Sequence, residues 1–310
     1  MSGLDTRDIG HRVVVRHRIK GGLTDVIGVL EDRRPDHLVV RHADSSTHRI
    51  ELTAITAAKP IPEMPLRPVD VEQLFLTAAL GRPAAETSYL GEWLLRASGG
   101  WTGRGNSLLP TGNPGMSIPE ALKQAEAWYV ERGLPPQAHV RLGSPAATDL
   151  EELGWTDAHP GRSDVLVMHT TLDHVNGLPP YEVQLVERPD QSWYGVAFDG
   201  PVPAPAPVVL EGAPKAVFAS ITVDGQLVAV GRGSMTGHWL GIDAVRVVPA
   251  YRGRGLAGAV VQALARWAGP QGGRRTYLEV LESNEPAVTA YRRLGYVEAY
   301  RYRYLVSPSQ

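Results

Sequence analysis

Residues 245–258 read Val-Arg-Val-Val-Pro-Ala-Tyr-Arg-Gly-Arg-Gly-Leu-Ala-Gly, and this segment constrains the fold more than any other. A β-rich run (Val245, Val247, Val248) stops at Pro249. A basic, glycine-rich turn follows at Arg252, Gly253, Arg254 and Gly255. Apolar Leu256, Val260, Leu264 and Trp267 then recur at helical spacing, so strand, turn and helix succeed one another without a linker. That succession gathers free backbone N–H groups at the positive end of a helix dipole, where phosphate oxygens bind. Glycine lets the backbone approach such a ligand, and Arg252 and Arg254 add positive charge. The segment reads as a phosphate-binding loop.

No G-x-x-x-x-G-K-[ST] is present, so a nucleotide-triphosphate loop is excluded. The G-x-G-x-x-G spacing of dinucleotide folds is likewise read as absent over Gly253, Gly255 and Gly258, so that fold is not expected. Arg252-x-x-Gly255-x-Ala257 instead resembles motif A, [QR]-x-x-G-x-[GA], of the Gcn5-related N-acetyltransferases, the GNAT family. Downstream, 277–280 reads as a strand, and Asn284, Ala287, Tyr291, Gly295 and Tyr296 match that family's spacing. The resemblance covers roughly 205–310.

This resemblance implies acetyl-CoA as co-substrate, an amine acceptor, and direct transfer through a ternary complex. Two parallel strands near 243–248 and 276–281 would splay and admit the pantetheine. Val245, Arg246 and Val247 would meet its amides, and the amides of Arg252, Gly253, Arg254, Gly255, Leu256, Ala257 and Gly258 would hold the pyrophosphate, with Asn284 also in contact. The Val245 amide would polarise the thioester carbonyl, and Tyr291 would protonate the departing thiolate. A fragment of residues 200–310 is expected to bind the cofactor alone. Plainer roles exist for the same residues. Asn284 suits a helix cap before Pro286, Gly295 suits a helix end, and Tyr291 shares a face with Ala287, Val288 and Leu294, as a core residue would.

The general base is left open. Family members that use a strand glutamate carry it where Gly241 stands here. Asp243 on the same strand face, Glu279 on the next strand, His238 and a water chain are the candidates.

The rest of the 310 residues must form further domains. Residues 9–58 hold about five short alternating strands with no helix signal, as in a small SH3-like β-barrel. It is bounded at 1–62 and followed by a Pro-rich joint over 59–65. Its histidines (His11, His17, His37, His42, His48) read as solvated strand residues, so no metal is expected. Residues 66–178 suit helices at 69–80, 118–132 and 148–153, a hairpin turning through 99–105, and strands at 139–142 and 164–168. That order resembles a degenerate GNAT half without motif A. Residues 201–207 alternate Pro, as a stiff spacer does, and 179–310 is bounded as the catalytic domain. The expected class is α+β with a mixed α/β sheet.

A formal charge of −2 gives no reason to expect nucleic acid as partner. No cysteine means no thiolate metal site and no cysteine nucleophile. No apolar run suits a membrane span, and a cytoplasmic location is expected. The alternative function is a non-catalytic acetyl-CoA-binding protein whose SH3-like module recognises a protein partner. The residues favour the enzyme, because Tyr291 accompanies an intact loop.

Overall fold

The computed structural model describes residues 3–9, 11–42, 46–61, 66–175, 177–198 and 200–308. The expected turn at 43–45 and the joint residues 62–65 lie outside them. The N-terminal module comprises β1 (Arg12–Ile19), β2 (Gly22–Arg33), β3 (His37–Arg41), β4 (Thr47–Glu51) and β5 (Ile55–Pro60). They pair in the order β4-β3-β2-β1-β5, all antiparallel. No ladder joins β4 to β5 among the described residues, so the five strands expected as an SH3-like barrel pair as one sheet with two edges. Val13, Val15, Leu30, Leu38, Val40 and Ile50 alternate onto its buried face, as period-2 patterning requires. His17 departs from the solvated expectation, because it falls on that same face and is buried.

The remaining elements run α1 (Pro68–Gly81), β6 (Glu86–Leu90), β7 (Trp93–Ala97), α2 (Ile118–Val130), β8 (Gln137–Arg141), α3 (Pro145–Glu152), β9 (Thr156–Asp157) and β10 (Val165–Thr171). Then come α4 (Leu172–Val175), β11 (Gln184–Val186), α5 (Gln191–Ala197), α6 (Ala206–Glu211), β12 (Ala216–Val223), β13 (Gln226–Thr236) and β14 (Trp239–Val247). The chain ends with α7 (Leu256–Ala268), β15 (Arg275–Leu281), α8 (Glu285–Arg293) and β16 (Val297–Val306).

One nine-stranded sheet holds both halves, in the order β11-β12-β13-β14-β15-β10-β16-β8, with β9 beside β16. The boundary expected at 178/179 therefore falls inside a sheet, because β10 lies between β15 and β16 and bonds to both. Helix α7 packs Leu256, Val260, Val261 and Leu264 into the core over this sheet.

Two local expectations are corrected. The hairpin is β6–β7, turning at 91–92 rather than through 99–105, and Leu109 only bridges to Leu94. Residues 98–106 form a loop because the buried Asn106 side chain staples it: Oδ1 accepts from the Ser98 and Gly100 amides, and Nδ2 donates to the Thr102 carbonyl. The spacer over 201–207 ends in a helix, with Pro205 at the cap of α6, a place that tolerates a missing N–H.

Burial holds His169 and His174 neutral, each with its pKa lowered to about 4. The His174 Nε2 accepts the Arg12 amide at 2.9 Å, which ties the N-terminal module to α4. An unfolded imidazole protonates near 6.5, so the stability these residues contribute is complete above that pH and is lost as pH falls toward 4. Urea melts are expected to show a loss on the order of 1 kcal/mol per pH unit per histidine across this window. A stability profile flat from pH 7 to 4.5 would contradict the assignment.

Candidate functional site

The loop between β14 and α7 has the backbone a phosphate cradle needs. Gly253 and Gly255 sit at φ 77° and 82°, the left-handed region that glycine enters without strain, and a Cβ at either would meet only open space. Gly255 caps α7, and the first intrahelical acceptor is its own carbonyl, taken by Ala259. Among the described residues, the amides from Gly253 to Gly258 donate to no chain atom. The Arg252 amide differs from the expectation, because it closes a turn onto the Pro249 carbonyl. Arg254 lies 4.9 Å over the Tyr251 ring, and its carbonyl accepts from the Tyr181 hydroxyl.

Gly253, Gly255 and Gly258 do stand at G-x-G-x-x-G spacing, so spacing alone did not exclude a dinucleotide loop. The sheet does. In dinucleotide folds the strand before the loop runs in a parallel sheet, whereas β14 is antiparallel to β13 on one side and only briefly parallel to β15 on the other.

That parallel pairing runs from Trp239↔Arg275 to Ile242↔Leu278 and stops. Beyond it the strands part. At the same place β14 carries a bulge against β13, with Ala244 in the left-handed region at φ 50°. Bulges re-aim the residues beside them, and Val245 follows directly. Between the parted strands lies a cavity of about 380 Å³ lined by Ile242, Asp243, Val245, Glu279, Asn284 and Tyr291, among others. Arg246 and Val247 lie beyond it, back in register with β13.

The Asn284 side chain accepts from the Ala287 amide at 3.3 Å, so it caps α8 and lines the cavity at once. Tyr291 is on α8, partly in the core against Tyr296 and partly facing the cavity. Burial pushes its phenol up to about 12, which keeps it protonated.

Both carboxylates are held. Asp243 bonds Arg232 at 2.7 Å and Arg82 at 2.6 Å. Burial would raise this carboxyl, but the Arg232 and Arg82 charges outweigh that and hold it below the usual range. Glu279 meets Arg104 at 2.9 Å and accepts from the Tyr302 hydroxyl at 2.6 Å. Glu279 and Arg104 also line a second cavity of about 320 Å³, with Asp157, His159, Asp164 and Tyr304. They form the wall between the two spaces. Gly241 is confined, because a Cβ there would lie 2.5 Å from the Tyr277 hydroxyl. No glutamate fits at that position. His238 sits at the far end of β14, in the turn before Trp239, and does not line the cavity.

Sequence reasoning missed Arg82, Arg104, Arg232 and Tyr302. Arg82 follows α1 and Arg104 sits on the loop stapled by Asn106, and neither carries a local motif. Among the described residues no group of His, Asp or Glu could hold a metal ion, and no helix is long and apolar enough to cross a membrane.

Residues 69–305 match the family model described as probable histone acetyltransferase Rv0428c C-terminal, and residues 7–59 match the Rv0428c N-terminal Sm-like domain. The chain is 28% identical over 316 residues to the probable histone acetyltransferase Rv0428c of Mycobacterium tuberculosis, covering 97% of this chain and 96% of the relative. It is 24% identical over 244 residues to the uncharacterized N-acetyltransferase YobR of Bacillus subtilis, covering 76% and 98%. Among solved structures, a GCN5-related N-acetyltransferase from Kribbella flavida superposes with a TM-score of 0.60 at 17% identity, covering 77% and 95%. A tandem GNAT protein from the clavulanic acid biosynthesis pathway gives 0.54 at 13%, covering 79% and 89%. With the strand–loop–helix cradle, the parted strands and matches spanning both halves, the chain belongs to the GNAT N-acetyltransferase family.

Proposed function

We propose that this protein is an acetyl-CoA-dependent N-acetyltransferase that binds one cofactor per chain, in the C-terminal half. The observation that carries this is the run of free amides at 253–258 following the strand that parts from β15, where the Tyr291-lined cavity opens. Acetyl-CoA would supply an acetyl group activated as a thioester. The amides from Gly253 to Gly258 bind its pyrophosphate, supported by the helix dipole of α7. The Val245 amide, re-aimed by the bulge, donates to the thioester carbonyl oxygen. Glu279 takes the ammonium proton of the acceptor, since it is the carboxylate that faces both cavities. Asp243 is the poorer base, held ionised by two arginines. The raised pKa of Tyr291 keeps its proton available for the thiolate.

Calorimetry with acetyl-CoA is expected to give one site per chain, and an amine screen is expected to release CoA thiol in proportion to amine consumed. Two sites, or none, would remove the cofactor assignment. Binding without amine-dependent release would favour a cofactor-binding protein that has lost turnover.

A further inference from the structure

The cavity between the parted strands is lined by Arg82 and Arg104 and backed by the buried Arg232, one guanidinium more than its two carboxylates neutralise. Arg82 and Arg232 share the single carboxylate of Asp243. Arg104 takes Glu279. Three guanidiniums thus accompany two carboxylates, an excess of one positive charge. No other carboxylate pairs with any of the three among the described residues.

Burying unmatched charge is costly, and a retained excess is the signature of a site whose counter-charge arrives with a ligand. Arg82 bears this most directly. It is 9% exposed, it lines the cavity, and its buried Nε–H has no acceptor among the described residues. The other free donors for anions, at 253–258, lie at the end of α7 and do not line this cavity. The cofactor pyrophosphate therefore does not account for the excess. Trp101 and Phe198, with ring centroids 5.6 Å apart, form an apolar wall of the same space.

Resting on the acetyltransferase reading, we propose that the acceptor is an amine that also carries an anionic group, a carboxylate or a phosphate, which Arg82 and its neighbours recognise. A lysine-rich peptide carries charge of the same sign as this excess and is disfavoured. The anion-binding guanidinium is a fork of N–H donors that suits either oxyanion.

The test is calorimetric and does not require turnover. Full-length protein, with and without CoA, is titrated with free amino acids against their amides, and with O-phosphoethanolamine against ethanolamine. At least one anionic member is expected to bind ten or more times tighter than its neutralised counterpart, and the pair concerned tells carboxylate from phosphate. Arg82→Gln should abolish that preference. Asp243→Asn, which removes the carboxylate shared by Arg82 and Arg232, should strengthen it, a direction that misfolding does not produce. Amides and ethanolamine binding as well as their partners, a histone-tail peptide binding best, or a preference surviving Arg82→Gln would each overturn the proposal. Anion preference without CoA thiol release from any amine would keep the anion site at Arg82 but sink the acetyltransferase reading, and with it the bound molecule's role as acceptor.

Discussion

Gly255→Val is expected to weaken acetyl-CoA binding at least about a hundredfold, close to 3 kcal/mol. Two effects add. Gly255 sits at φ 82°, where a β-branched residue costs roughly 1–2 kcal/mol. The space beside it is open in the chain, so the strain is local and the new methyl groups point where phosphate oxygens must approach the amides. The melting temperature should therefore fall only modestly while affinity collapses. Calorimetry separates the two, and wild-type affinity in this variant would mean that the pyrophosphate binds elsewhere.

Tyr291→Phe is expected to reduce kcat roughly 10²- to 10⁴-fold, the range for loss of a positioned proton donor. The ring packs against the core through Tyr296, and phenylalanine keeps that packing. Acetyl-CoA affinity should change by no more than one hydrogen bond's worth, about 1 kcal/mol. Because burial holds the phenol protonated to about pH 12, the wild-type rate should not decline with Tyr291 ionisation below pH 10. A stable variant turning over at the wild-type rate would take Tyr291 out of the chemistry and leave the thiolate to solvent.

What could be read from the sequence was what neighbouring residues encode. The cradle is legible because glycine at 253 and 255, the preceding β-branched run and the following apolar stripe each act within a few residues. The cap at Asn284 and the place of Tyr291 on α8 are legible for the same reason. The charge around the cavity was not. The partners of Asp243 are not legible, because Arg82 and Arg232 reach it only once α1 and β13 are packed beside β14. Arg104 depends on a loop whose shape is set by the buried Asn106 amide, which no turn rule foresees. The place of β10 was equally hidden, since strand pairing across the sheet leaves no periodic trace in either strand.

The interleaving of β10 between β15 and β16 has a consequence for how the chain is made. Strands β8 and β10 leave the ribosome early, yet β16, the strand that joins them, follows only after β11 to β15. Until it arrives, β10 presents an unsatisfied edge and its apolar Leu166 and Met168 have no finished core. Long loop closures of this kind make folding slow and late. For the same reason a fragment of residues 200–310 would bring β15 and β16 without the strand that separates them. The half that carries the phosphate cradle is thus not a detachable unit. The segment over 66–178 contributes strands to the same sheet as β14 and β15, whether or not it ever touches a cofactor.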